Sequence, residues 1–98
     1  MNEPVIGDRA TRAERISAAL AALAPVELEL VDESHKHAGH EGARDGRGHF
    51  ALRIVSQAFR GLAPIARHRK VYAVLGDLMQ TDIHALSIRA SAPGEAMA

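Results

Sequence analysis

Between Ser34 and Gly48 the chain carries four Gly, three His, several charged side chains and no apolar residue larger than Ala. Such a stretch has nothing to place in a core. It must be a long connection over the surface, and any core has to be assembled from what precedes and follows it. A structureless connection of that length inside a small domain is usually functional or disordered. The whole chain has 98 residues, enough for one domain and not for two. At this size folding buries roughly 60–65% of the unfolded surface, which gives a modest core and no deep enclosed active site.

The flanks carry readable periodicity. Ile16, Ala19, Leu20 and Leu23 fall at i, i+3, i+4 and i+7, an amphipathic helix with Asp8 as its cap and Pro25 as its stop. Val26 to Leu30 alternates apolar and acidic residues, which predicts a half-buried strand with Glu27 and Glu29 on the wet face. After the long connection, Phe50, Leu52 and Ile54 share one parity and predict a second strand. Phe59, Gly61 and Pro64 mark the turn into a second helix, with Pro64 at its first position. Ile65, Val71, Tyr72, Leu75, Leu78 and Met79 cover one side of that helix. His68 projects into the same arc between Arg67 and Arg69, and Gly76 divides the helix in two. Ile83–Ser91 predicts a third strand whose even positions, His84, Leu86, Ile88 and Ala90, look inward.

The expected fold is therefore α+β with the order αββααβ, a three-stranded sheet covered by helices on one face. One domain spans residues 8–92, between flexible tails at 1–7 and 93–98.

Composition removes several function classes. Hydrophobic residues are 47% and charged ones 24%, so the chain is globular and not disordered. There is no Cys, which excludes disulfides, a thiol nucleophile and any metal site built from this chain's own thiolates. Phe50, Phe59 and Tyr72 are the only aromatic residues, too few for a platform that stacks single-stranded bases. No Gly-rich phosphate loop or Ser-His-acid pattern points to an enzyme. No run approaches the ~20 apolar residues of a membrane span, and Met1–Gly7 has no apolar secretory core. Acidic Glu3, Asp8 and Glu14 among Arg9, Arg12 and Arg15 argue against a transit peptide, so a cytoplasmic protein is expected.

Net charge is zero but unevenly spread. Residues 33–70 hold eight Lys or Arg against three acids, and five of the six His. That zone is either a solvated basic face or a surface for an anionic partner. Taken singly, His68 reads as a core or helix-packing imidazole donating to a backbone carbonyl, His49 as an exposed or capping one, and His84 as a satisfied core residue. The spacing of His35, His37 and His40 fits adventitious or zinc binding as well as anything specific.

Several segments together carry a resemblance. Glu33-Ser34, the His-rich loop, His49-Phe50, Phe59-x-Gly61, Arg67-His68-Arg69-x-Val71-Tyr72 and Ile83-His84-Ala85-Leu86-Ser87-Ile88 resemble the signature of the BolA family, from about Ile16 to Pro93. One departure is Leu62-Ala63 where members often have Lys-Ser, which removes a charge and an N-cap. The resemblance implies the αββααβ fold, similar to a class II KH domain. It also implies an adaptor that pairs with a glutathione-bound monothiol glutaredoxin around a bridging 2Fe–2S cluster, and holds no cluster alone. The family's invariant strand His matches His84. Its loop ligand matches His37, with His35 and His40 as rivals. Bacterial members are also described as DNA-binding regulators, for which Arg67, Arg69, Lys70 and Arg60 are the candidate contacts, although the Gly-x-x-Gly loop of KH domains is absent here. Whether the chain dimerises on its own is left open.

An all-imidazole contribution suits a chain without thiols. Imidazole is a neutral ligand that raises a cluster's potential relative to thiolate. It also makes ligation pH-sensitive, since a protonated ring cannot bind metal.

Overall fold

The structure is a computed structural model, and it describes residues 11–34 and 47–95. The chain order is α1 (Arg12–Leu20), β1 (Glu27–Asp32), β2 (Gly48–Val55), α2 (Pro64–Leu75), α3 (Leu78–Thr81) and β3 (Ile83–Ser91), with 3-10 turns at Ala21–Leu23 and Gln57–Phe59. The expected αββααβ order is what the chain adopts.

α1 starts on a reciprocal capping box. Thr11 Oγ1 accepts from the Glu14 N–H at 3.1 Å, and Glu14 Oε1 accepts from the Thr11 N–H at 2.8 Å. That closure satisfies the first orphan donors at Thr11, so the expected cap at Asp8 is displaced; Asp8 itself lies outside the described residues. The helix tightens into the Ala21–Leu23 turn and stops at Ala24, whose φ of 49° is left-handed, just before Pro25.

β2 is the central strand, antiparallel to β1 and parallel to β3. A parallel pair needs a crossover, and the Gln57–Phe59 turn with α2 and α3 supplies it. Buried Ser56 fixes the exit from β2: its Oγ donates to the Leu23 carbonyl, accepts from the Ala58 N–H at 3.0 Å, and its own N–H donates to the Ser91 carbonyl at 2.9 Å. Pro64 opens α2, and Gly76, with φ of 52°, ends it and separates α3, as the sequence predicts.

The core joins Ile16, Leu20 and Leu23 to Phe50, Leu52 and Ile54 of β2, Phe59 of the crossover, Val71 and Leu75 of α2, and Ile83. The opposite sheet face bears Glu29, Val31, Ala51, Arg53, Ser87 and Arg89 around a shallow open groove of about 270 Å³. Two expectations need correction. Ile65 and Tyr72 are 62% and 41% exposed, because at 100° per residue they lie about 100–120° around α2 from buried Val71. The segment after β3 is not a free tail from Pro93: the Glu95 carboxylate accepts from the Ala92 N–H at 2.9 Å and from Arg67.

Candidate functional site

The start of β2 meets the start of β3 at a glycine. Gly48 donates its N–H to the Asp82 carbonyl at 2.8 Å, and a Cβ there would stand 2.7 Å from the Phe50 ring and 2.8 Å from Ser34 Oγ. No side chain fits, so the backbone itself makes the junction.

Asp82 is the other half. It is buried, with Arg12 Nε donating to its carboxylate at 3.3 Å, Arg15 beside it, and the Thr81 hydroxyl donating at 2.6 Å. The Thr81 hydrogen bond above all, then the two arginines, hold the carboxyl below its ordinary range against the opposing effect of burial. α1 is thereby tied to the residue that precedes β3.

The next two residues break the strand's period. Gly48 pairs with Ile83 but His49 pairs with Ala85, so His84 is one extra residue in β3. Ile83 is 1% exposed and Leu86, Ile88 and Ala90 are half-buried on the core side, while His84 is turned out to solvent. The inward position expected for His84 is thus overturned, and the bulge is the reason.

Among the described residues, two stand against the exposed imidazole. Arg47 Nη2 lies 3.2 Å from His84 Nδ1, and the His49 ring packs against it with centroids 5.0 Å apart at 45°. His49, expected exposed or capping, is half-buried on the central strand with its Nε2 out of solvent. Parity already put His49 opposite Phe50, but nothing in the sequence revealed that β3 would bring His84 to it. Only the register does.

The same place anchors the long connection. Ser34 Oγ accepts from the His49 N–H at 3.0 Å, the Glu33 N–H donates to the His49 carbonyl at 2.8 Å, and the Ser34 N–H donates to Asp32 Oδ1 at 2.9 Å. Its other end, Arg47, touches His84. His35, His37 and His40 lie outside the described residues. Among the described residues no group of three or more His, Asp or Glu could hold a metal ion.

The basic residues divide. Arg67 stands four residues before Val71 and so on the packed side of α2; its guanidinium donates to the Leu62 carbonyl at 2.8 Å, the Ala90 carbonyl at 3.1 Å and both Glu95 oxygens at 2.6 and 3.0 Å. Arg67 is held up and Glu95 pulled down to about 2, each chiefly by their mutual hydrogen bonding. Arg60 donates to Gln57 Oε1 at 2.8 Å and to the Pro93 carbonyl. Arg69 and Lys70 remain exposed on α2. His68 is half-buried there, short of the full burial of a core residue.

Fold and site define a small α+β domain that presents an imidazole pair at the head of a sheet, beside the anchored ends of a His-bearing segment. The chain belongs to the BolA family: the family described as BolA-like protein matches residues 20–95. It is 50% identical over 78 residues to SufE-like protein 1, chloroplastic/mitochondrial, of Arabidopsis thaliana, a match over 74% of this chain and 21% of that protein. It is 41% identical over 76 residues to the DNA-binding transcriptional regulator BolA of Escherichia coli, over 76% of this chain and 70% of that one. The solved BolA domain of SufE1 from Arabidopsis thaliana superposes with a TM-score of 0.77 at 46% identity, covering 89% of this chain and 98% of that domain. No described helix is long and apolar enough to cross a membrane.

Proposed function

We propose that this chain is an adaptor, not an enzyme, that shares a 2Fe–2S cluster with a glutathione-bound monothiol glutaredoxin in the cytoplasm, in cluster trafficking or iron and redox regulation. His84 is the strand-mounted ligand, and His37, with His35 and His40 as rivals, is the ligand from the long connection. The observation that carries this reading is the anchoring of both ends of segment 35–46 beside His84, through Ser34 on His49 and through Arg47. Covalent reach keeps all three candidates near this place: at no more than ~3.6 Å per residue, His35 stays within about 4 Å of Ser34, His37 within about 11 Å and His40 within about 22 Å. The donor chemistry fits a shared cluster: neutral imidazoles here, with thiolates left to the partner.

The test is co-expression with a monothiol glutaredoxin, followed by visible absorption and circular dichroism. His84→Ala should leave the domain folded, since truncating an exposed residue with one hydrogen bond and one ring contact costs about 1–2 kcal/mol, and should abolish the spectrum of the mixed cluster. His37→Ala should weaken it in part, and loss of His35, His37 and His40 together should match His84→Ala. Unchanged spectra for both would refute the ligand assignment.

A second reading is DNA binding. It is supported by the name of the Escherichia coli relative and by Arg69 and Lys70, exposed on α2. Salt-dependent duplex binding that Arg69→Glu removes and excess glutaredoxin leaves untouched would favour it.

A further inference from the structure

We propose that Arg47 is a positioning residue for His84, a latch on Nδ1 that must release before the ring can bind metal. The inference rests on the ligand reading of His84 given above. A guanidinium has donors only, so at 3.2 Å the His84 Nδ1 beside Arg47 Nη2 must offer its lone pair. A neutral imidazole has one N–H and one lone pair, which puts the proton on Nε2. A metal needs a lone pair as well. If it takes Nδ1, it displaces Arg47 directly. If it takes Nε2, the ring proton must leave that nitrogen and one must arrive at Nδ1, with no net change. Nδ1–H then faces a group that can only donate, and Arg47 moves away. Both routes break the contact, so ligation and the Arg47 bond exclude each other.

The surroundings make the latch specific. Arg47 precedes Gly48, whose N–H is held by the Asp82 carbonyl and whose Cα has no room for a substituent. Gly48 pairs with Ile83, which places Arg47 beside the bulge that turns His84 outward. The tilted His49 ring packs against the imidazole, limiting the orientations it can adopt.

Two measurements on the free, partnerless protein test this. Long-range proton–nitrogen correlation spectra of the labelled chain, with His84→Gln identifying the signals, should show the neutral His84 ring predominantly in its Nε2–H form. In Arg47→Met, which keeps the stem and removes the donors, it should relax to a mixture of tautomers. The rate of His84 carbethoxylation by diethyl pyrocarbonate, read by mass spectrometry, should rise about fivefold in Arg47→Met, the factor expected for one exposed hydrogen bond. Arg47→Lys, which keeps the charge on a differently shaped head, should fall between them. A wild-type ring protonated on Nδ1, or an unchanged carbethoxylation rate in Arg47→Met, overturns the latch. Neither measurement involves a cluster, so failure of His84→Ala to alter the glutaredoxin complex would sink the ligand reading separately.

Discussion

Gly48→Ala is the sharpest probe of how the site is built. In an ordinary strand, Ala in place of Gly is favoured by about 0.5–1 kcal/mol. Here the new methyl would meet the Phe50 ring at 2.7 and 3.2 Å and Ser34 Oγ at 2.8 Å. The Ser34 hydroxyl can rotate away only by giving up its hydrogen bond from the His49 N–H, worth about 1 kcal/mol. Phe50 is 3% exposed and cannot swing into solvent, so overpacking there costs about 1–3 kcal/mol. The steric and hydrogen-bond losses outweigh the propensity gain, for a net destabilisation of about 2 kcal/mol. For a domain of this length that lowers Tm by roughly 8–16 °C. Urea unfolding followed by far-ultraviolet circular dichroism measures it, with an unchanged m-value showing that the transition is still two-state. Adding Phe50→Leu should return part of the loss, because the shorter side chain leaves room for the methyl. A change below about 0.5 kcal/mol, or an undiminished penalty in the Phe50→Leu background, would refute the close-approach argument.

Asp82→Asn should cost about 1–2 kcal/mol in urea unfolding, as Arg12 and Arg15, each one-third exposed, lose their carboxylate. The depressed Asp82 carboxyl stabilises the fold above the unfolded carboxylate pKa, so the gap between wild type and variant should shrink as pH falls below that range. Glu95, lowered from 4.5 to about 2, acts with the same sign: its contribution is full above about pH 4.5 and is lost as pH falls to about 2. Thermal melts of wild type and Glu95→Gln should therefore differ at neutral pH and converge across that window. Arg67→Ala should lower Tm with little change in any electrostatic encounter, whereas Arg69→Ala should leave stability within about 0.5 kcal/mol and weaken salt-dependent binding. Equal stability of the two variants would refute the internal role of Arg67.

Local pattern carried most of the fold. Ile83–Ser91 has the predicted bounds, and Gly76 divides the helix as its backbone freedom requires. Thr11 and Glu14, three residues apart, spelled out the capping box, but Asp8 offered a competing cap, and only the closed pair of hydrogen bonds settles the start. Arg67 was also decidable, since four residues from Val71 puts it on the packed side of α2. His49 was not, because its place depends on which residue of β3 the register sets beside it. His84 failed for a related reason: parity assumes an unbroken period of two, and a single inserted residue reverses every side assigned before it.

That reversal also explains why the site lies at the head of β3. With an unbroken period, Leu86, Ile88 and Ala90 facing the core would carry His84 inward with them and turn Ile83 out. Exposing Ile83, now 1% exposed, would forfeit about 1.5–3 kcal/mol of apolar burial. Burying the imidazole would add the cost of desolvating its polar atoms unless a partner were built for them. One extra residue avoids both, since Ile83 fills the core while His84 stands in solvent against His49 and Arg47. The bulge needs a partner strand that tolerates the local kink. Gly48 supplies it: a residue without a side chain opposite Ile83, hydrogen-bonded to the Asp82 that α1 holds through Arg12 and Arg15. His84, the proposed ligand, is therefore mounted beside a backbone junction fixed by Gly48 and Asp82, and the other proposed ligands, His35, His37 and His40, are tethered to that same junction through Ser34 and Arg47.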